Sequence, residues 1–338
     1  MQLLTPLLQG QSLTLAQAEK LFDHLVRGEL NDIQITAALI TMKMRGEQPE
    51  EMAGAARALR RAARQFQRPE RRLVDSCGTG GDGSHTMNIS TTAALVAASM
   101  GLTVAKHGNR SVSSRSGSAD VLESLGLSVT QDPSIAAQQL DRFNFCFLFA
   151  PHYHPGIRYA MPTRQTLKTR TLFNLLGPLL NPARPNAQVL GVYAPEWCRP
   201  LAATLRLLGC EQALVVHGSG LDEIAIHGPT QVVELRQGEL HEYTLTPADF
   251  GISTASVAAL AGGDANYNAH LLTQILAGKA SQAQLDAVAV TVAAMLYVNG
   301  TYDDLKLATH AVNEHLVSGQ ALTHLQQIQE FNRVSIGA

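Results

Sequence analysis

From Leu73 onward, short apolar runs alternate with segments of helical periodicity, and that alternation restricts the chain to a layered α/β fold on a mainly parallel sheet. The runs expected as strands are Leu73 to Ser76, Thr103 to Lys106, Phe145 to Phe149, Val189 to Tyr193 and Ala213 to His217. Helices are expected over Ser90 to Met100, Ala119 to Leu125, Ile135 to Phe143 and Pro195 to Leu208. The stretch Val232 to Leu245, turning at Gly238, reads instead as an antiparallel hairpin, which makes the sheet mixed.

Before residue 70 no such alternation exists, and the pattern is helical throughout. Thr14 and Gln17 form a capping-box pattern ahead of Leu15, Ala18, Leu21, Phe22, Leu25 and Val26, and Gly28 ends that helix. Asn31 caps a second helix through Arg45, stopped by Gly46, and Pro49 opens a third that continues past Ala63. The 338 residues exceed one ordinary core. The expected organisation is a small all-helical domain over 1–70 and a larger α/β domain over 71–338, its central sheet flanked by helices. A segment near residues 170–190, with Gly177, Pro178 and Pro182, is expected to cross between them.

With 45% hydrophobic and 16% charged residues, the composition is that of a compact globular chain. A formal net charge of −2 gives no electrostatic ground for a nucleic-acid partner, so any anion site must be local. The arginines 57, 60, 61, 64, 68, 71 and 72 read as an exposed helix and linker face. Cys77, Cys146, Cys198 and Cys210 are scattered, with no CxxC pair, and read as buried thiols of a reducing compartment. The start MQLLTPLLQGQS lacks the pattern of a signal peptide. Ile89 to Ala105 reads as a buried helix and strand rather than a membrane span, and the expected location is the cytoplasm.

Two glycine- and cation-rich loops carry the chemistry. Asp75 to Thr92, DSCGTGGDGSHTMNISTT, places four glycines between Gly78 and Gly83, after a strand and before a helix. Glycines let backbone N–H groups approach an oxygen-rich ligand, and the helix start offers its positive end. Asn88, Ser90 and Thr91 add side-chain donors. The spacing matches neither a Walker A loop nor GxGxxG with an acidic ribose ligand. Lys106 to Arg115, KHGNRSVSSR, follows another strand and has the composition of a phosphate grip, with Ser118 close behind.

Two further features stay open on pattern alone. Asp222-Glu223 in SGLDEIA suits magnesium beside a diphosphate, and equally suits a solvated surface. Arg164, with Lys168 and Arg170 at helical spacing behind it, suits a planar carboxylate or a solvated cationic face. His152 and His154 lack a third ligand at metal spacing and are expected in a loop or substrate wall.

Taken together, GTGGDG at 78–83, NIST at 88–91, KHGNRSVSS at 106–114, RTLFNLLGPLLNPA from Arg170 to Ala183 and the acid pair at 222–223 resemble the anthranilate phosphoribosyltransferases of tryptophan biosynthesis, over nearly the whole chain. The resemblance implies that phosphoribosyl pyrophosphate is bound by Gly78, Gly81, Asp82, Thr86, Asn88, Ile89, Ser90, Thr91, Lys106, His107, Gly108, Asn109, Arg110, Ser111, Val112, Ser113, Ser114 and Ser118. It implies Mg2+, as two ions, at Ser90, Asp222 and Glu223, and anthranilate contacts at Gly78, Asn109 and Arg164. No single catalytic acid or base is implied; Asn109, Arg164 and His107 take electrostatic and positioning roles. It further implies a homodimer paired through the helical domain, with an anthranilate synthase subunit as a possible partner; charge and the lack of a spanning segment leave no expectation of a nucleic-acid or membrane partner. Cys77 departs from the usual aliphatic residue and reads as packing. A pyrimidine nucleoside phosphorylase shares the architecture but is disfavoured by the NIST and DE segments. A non-catalytic nucleic-acid-binding relative is disfavoured by the intact loops and the absence of a basic surface.

Overall fold

The computed structural model describes residues 3–111 and 115–336. Its first quarter is helical: α1 (Thr5–Leu8), α2 (Leu15–Val26), α3 (Asp32–Arg45) and α4 (Pro49–Arg61). The caps are those the residue types dictate. Gln17 N donates to Thr14 Oγ1 at 3.3 Å while Thr14 N donates to Gln17 Oε1 at 2.9 Å, and Asn31 exchanges the same pair with Gln34. The third long helix stops at Arg61, short of the expected continuation past Ala63. Ala63 and Phe66 turn into the protein, and Arg64 N leaves the helical ladder to donate to Tyr153 O at 2.8 Å.

Seven strands form one sheet: β1 (Val74–Gly78), β2 (Val104–Gly108), β3 (Phe145–Phe149), β4 (Ala187–Gly191), β5 (Gln212–Gly218), β6 (Thr230–Arg236) and β7 (Glu239–Leu245). Their order is β3-β2-β1-β4-β5-β6-β7, parallel through β5 and antiparallel beyond it. Strand order therefore reverses between β1 and β4. In an open parallel sheet that reversal leaves a crevice at the carboxyl ends of the two strands, the usual place for a ligand. The β6–β7 hairpin turns through Gln237 and Gly238, both at positive φ (53° and 80°), as a tight turn between twisted strands requires.

Both faces of the sheet are covered, and alternate strand residues separate the two cores. Leu214 and Val216 join a core with α5 (Ile89–Ser99) and the helix Gln282–Asn299; Ala213 and Val215 join the core of α2, α3 and α4. Between β2 and β3 lies α6 (Ser118–Ser124), followed by α7 (Pro133–Phe143), which packs on β3. Leu172, Phe173, Leu175, Leu176, Leu179 and Leu180, all in the expected crossing segment, enter the core of the N-terminal helices. Cys146 and Cys198 are buried free thiols, whereas Cys77 and Cys210 are only half-buried. Among the described residues no helix is long and apolar enough to cross a membrane.

Element boundaries shift by a residue or two from the sequence reading. β4 runs 187–191 rather than 189–193, because pairing of Ala187 with Val74 and of Gly191 with Gly78 sets its register. The expected helix from Pro195 opens as a 3-10 turn, Pro195–Trp197, before the α-helix Cys198–Leu207.

Candidate active site

Four of the five parallel strands end on glycine: Gly78, Gly108, Gly191 and Gly218. The loop after β5 crosses these strand ends, and it fits only because the glycines lack side chains. A Cβ on Gly78 would overlap the Asp222 carboxylate, one on Gly191 the Asp222 carbonyl oxygen, and one on Gly218 the Glu223 carbonyl oxygen. Glycine at these positions seats the acid pair directly over the switch point.

The loop after β1 meets that pair. Gly80 and Gly81 take left-handed φ of 69° and 80°, a turn that glycine enters without strain. Gly80 N donates to Asp222 Oδ2 at 2.6 Å, and Asp222 N approaches Asp82 Oδ2 at 3.3 Å. Asp82 also accepts from Ser84 N and Oγ at 2.9 and 2.8 Å. Arg170 Nη2 donates to Gly81 O while its guanidinium lies over the Tyr193 ring, 3.9 Å from the centroid. Thr86 continues the loop as an isolated bridge to Ala261. Asn88 precedes α5 and accepts from Asn268 Nδ2 at 2.8 Å. Ile89 and Thr91 are buried in the protein at 1% exposure, so Ile89 can offer a ligand only its backbone.

Lys106 is buried, its Nζ donating to Ser76 O at 2.6 Å and Ser90 Oγ at 3.2 Å. Its charge acts on Glu223 and on the buried Asp75, while Asp82, Asp222 and Glu223 gather as a cluster of acids. Asp222 is pushed up to about 7 by its withdrawal from water and by Asp82; Glu223 is pushed up to about 8 by the same desolvation and by Asp222, against the pull of Lys106. Both side chains still open partly to the cleft. The excess of negative charge fits a divalent cation held by Asp222, Glu223 and the Ser90 hydroxyl. Among the described residues no three His, Cys, Asp or Glu side chains close a metal cage by themselves, so ligand oxygens must complete the coordination.

The loop after β2 is braced rather than free. Asp120 accepts from Ser111 N at 3.1 Å and Gly117 N at 2.8 Å. The Arg110 guanidinium pairs with Asp120 and Glu123 and lies over Phe149, so in this conformation its charge is taken up by α6 rather than by the cleft. Gly108 passes against Ser118 Oγ and Phe147, and Ser118 Oγ donates to Asn109 O at 3.2 Å. Val112, Ser113 and Ser114 lie outside the described residues.

The third wall is the crossing segment. His107 is buried, contacts Gly177 O through Nδ1 at 3.2 Å, and stands edge-on to His154 with centroids 5.3 Å apart. Burial, then the neighbouring His154, holds His107 well below the usual imidazole range. His154, in the turn between the helix Ala150–Tyr153 and the 3-10 turn Pro155–Ala160, is buried too. His152 is half-buried, facing Arg64. Arg164 stacks on Phe173 at 5.1 Å, with no carboxylate in ion-pair reach among the described residues, and burial pulls its pKa down. A guanidinium so placed is ready for a planar carboxylate. Lys168 and Arg170 do not continue its face, because the helix Met161–Leu167 ends with Lys168 at a left-handed φ of 46°.

Sequence reasoning missed Gly191 and Gly218, and gave Arg170 and Asn181 no role of their own. Asn181 Nδ2 donates to both Asp75 Oδ2 and Ala105 O, at 2.9 and 2.7 Å, tying the crossing segment to β1 and β2. Only the recurrence of glycine after apolar runs signalled the first two.

Residues 1–63 match a glycosyl transferase family, helical bundle domain, and residues 70–322 a glycosyl transferase family, a/b domain. Anthranilate phosphoribosyltransferase of Idiomarina loihiensis is 64% identical over 330 residues, 98% of each chain. The crystal structure of anthranilate phosphoribosyltransferase from Thermus thermophilus superposes with a TM-score of 0.94 at 42% identity, covering 98% of this chain and 100% of that one. The Saccharomyces cerevisiae enzyme in complex with PRPP and Mg superposes with a TM-score of 0.84 at 28% identity, covering 95% and 93%.

Proposed function

The chain belongs to the anthranilate phosphoribosyltransferases, and from that premise we propose how its own residues carry the reaction. The enzyme transfers the 5-phosphoribosyl group of phosphoribosyl pyrophosphate to the amine of anthranilate, giving N-(5-phosphoribosyl)anthranilate and diphosphate, a magnesium-dependent step of L-tryptophan biosynthesis.

Departure of diphosphate leaves positive charge at ribose C1′, and the anthranilate amine, already neutral near pH 7, attacks the opposite face with inversion. No general base is needed. Charge stabilisation and positioning carry the rate. Gly78, Gly81, Asp82, Thr86, Asn88, Ser90 and Thr91, with the Ile89 backbone, hold the phosphoribosyl pyrophosphate from one side. Lys106 to Ser114 and Ser118 hold it from the other. Ser90, Asp222 and Glu223 hold magnesium, as two ions; when bound, the metal neutralises charge on the departing diphosphate. Arg164 and Asn109 receive the anthranilate carboxylate at the mouth formed by Gly78, and His107, neutral through burial, shapes that wall.

The observation that carries this reading is the meeting of the glycine loop and the acid pair, marked by Gly80 N donating to Asp222 Oδ2 at 2.6 Å over the switch point. Pairing into a homodimer through the helices is supported by Leu8, Ile33 and Met44, which expose 61%, 80% and 79% of their surface there. A cytoplasmic location and docking of an anthranilate synthase subunit are part of the same reading.

The test follows loss of anthranilate fluorescence with phosphoribosyl pyrophosphate and magnesium. Asp222→Asn with Glu223→Gln is expected to lower kcat by roughly 10²-fold or more, and Arg164→Ala to raise the anthranilate KM with kcat little changed. Unchanged constants in either variant remove that assignment. Phosphate-dependent cleavage of thymidine in place of fluorescence loss overturns the whole reading.

A further inference from the structure

At the opposite end of the parallel strands, a separate cavity of about 170 Å³ opens between α4, β4 and the helix Cys198–Leu207. Arg60, Arg68, Arg184, Asn186, Gln188 and Cys210 line it. Asn186 lies just before β4, Cys210 just before β5 and Arg68 ahead of β1, so the cavity borders the strand starts, whereas the reaction cleft borders their ends. We propose that this cavity is a binding site for a tetrahedral oxyanion of the phosphate class, distinct from the phosphoribosyl pyrophosphate site.

Three guanidiniums meet here without an acid. Among the described residues none of Arg60, Arg68 and Arg184 has a carboxylate within ion-pair reach; Glu211, whose charge reaches Arg68, is already taken by Arg72 and Asn186. Each guanidinium carries five N–H donors. Arg60 uses Nε on Leu179 O at 2.7 Å, and Arg68 uses Nη1 and Nη2 on Arg184 O and Asn186 Oδ1 at 3.0 and 2.9 Å. The Arg184 side chain makes no hydrogen bond or ion pair with a described residue. Its backbone sits at φ 49°, a conformation a non-glycine residue adopts only when its surroundings impose it.

Arg68 and Arg184 stand exposed at the rim, while Arg60 is drawn inward, and like charges gathered around a partly enclosed cavity favour a counter-ion. Arg60 shows the effect: its guanidinium is pushed down to about 10, first by burial and then by Arg184. An anion in the cavity relieves both causes at once. The three guanidiniums come from α4, from the stretch before β1 and from the turn before β4, and cations supplied by separate segments suit an oxyanion that accepts on several oxygens. The protein supplies the anion class itself, since its reaction releases diphosphate; the site therefore has two candidate sources, free inorganic phosphate and diphosphate.

The experiment uses Arg184→Gln, because that side chain has no described partner to lose, while Arg60 also supports Leu179. Inorganic phosphate, and separately diphosphate, is titrated into the full-length protein and the variant by calorimetry, with phosphoribosyl pyrophosphate titrated as a control for the reaction site. Carbamidomethylation of Cys210 is followed by peptide mass spectrometry. We expect binding of at least one of the two anions to weaken about tenfold or more in the variant, with phosphoribosyl pyrophosphate affinity unchanged. We also expect that anion to slow Cys210 alkylation severalfold in the wild type and not in the variant. The tighter of the two anions identifies the source. Equal affinities of both anions for wild type and variant, or Cys210 alkylation indifferent to both, overturns the proposal.

Discussion

Gly191 has no side chain, yet it decides where two carboxylates stand. A Cβ at this position would overlap the backbone carbonyl of Asp222, with the Asp222 carbonyl carbon and Cα close behind. Backbone cannot swing aside as a flexible side chain can, so Gly191→Ala must displace the acid loop, at a cost of about 1–3 kcal/mol for such overpacking. The expected outcome is a fall in kcat of about tenfold or more and a higher magnesium requirement, measured by steady-state assay across magnesium concentrations. Unaltered magnesium dependence would show that the loop tolerates the methyl group. The sequence signalled this only as another glycine after an apolar run; the contact itself was not legible, because Gly191 sits inside an expected strand and Asp222 lies far along the chain. The acids themselves were legible only through the family resemblance, since on pattern alone a DE pair just past a strand suits a solvated surface as well as a metal. His154 was less legible: PHYHPG left it between a loop and a substrate wall, and only packing against His107 shows how far it is enclosed. Burial pulls His154 down to about 4 from 6.5, so the folded chain binds this proton more weakly than the unfolded one. Stability from this group is thus fully present above 6.5 and is lost as pH falls toward 4, worth about 3 kcal/mol at most. Replacing His154 by Phe should flatten the stability profile between those values in urea titrations at successive pH, leaving the share due to His107. A profile as steep as the wild type would mean that His154 is not the group responsible.

At the scale of elements, the strands were readable because each buried run is short and bounded, and the β6–β7 hairpin because Gly238 marks its turn. Their ends were not, since strands buried on both faces lose the alternation that would fix a start. The same limit hid the role of the segment after the helix Met161–Leu167. In sequence Arg170 is the third cation of a helical stripe; in the fold Lys168 ends that helix, and Arg170 reaches back to the glycine loop and Tyr193. One residue earlier, Thr169 accepts from Lys43 of α3. Three consecutive links, α3 to Thr169, Arg170 to Gly81 and Gly80 to Asp222, connect the helical part to the acid pair. Arg170→Met keeps the apolar stem over Tyr193 and removes the bond to Gly81. It is expected to raise the KM for phosphoribosyl pyrophosphate roughly tenfold, the loss of about one charge-assisted hydrogen bond, and to change the anthranilate KM much less. Varying each substrate in turn checks it; equal rises in both constants would point to general loosening instead.

For the molecule as a whole, the helical and α/β parts could be told apart by periodicity near residue 70, but their interlocking could not. Leu190 of β4 and Val192 just past it belong to the same core as Leu21 and Leu39, stretches more than 150 residues apart that no local pattern brings together. That shared core fixes the cleft, and with it a cluster of acids, Asp82, Asp222 and Glu223, in which Lys106 offsets Glu223. The folded-state values of Asp222 and Glu223, about 7 and about 8, lie above the ordinary 3.8 and 4.5. The fold therefore binds their protons more tightly than the unfolded chain. Their contribution to stability is fully present below about pH 4 and is lost as pH rises through 7 to 8, an effect reduced because both side chains remain partly open to water. A cation that binds the deprotonated pair restores what is lost, by mass action on the folded state. Millimolar magnesium should accordingly raise the unfolding temperature by roughly 1–3 °C near pH 8.5 and by clearly less near pH 6. In Asp222→Asn with Glu223→Gln, the magnesium-free protein should gain stability at the higher pH and lose its response to magnesium. A response of equal size at both pH values, or one that persists in the double variant, would place the metal away from these carboxylates.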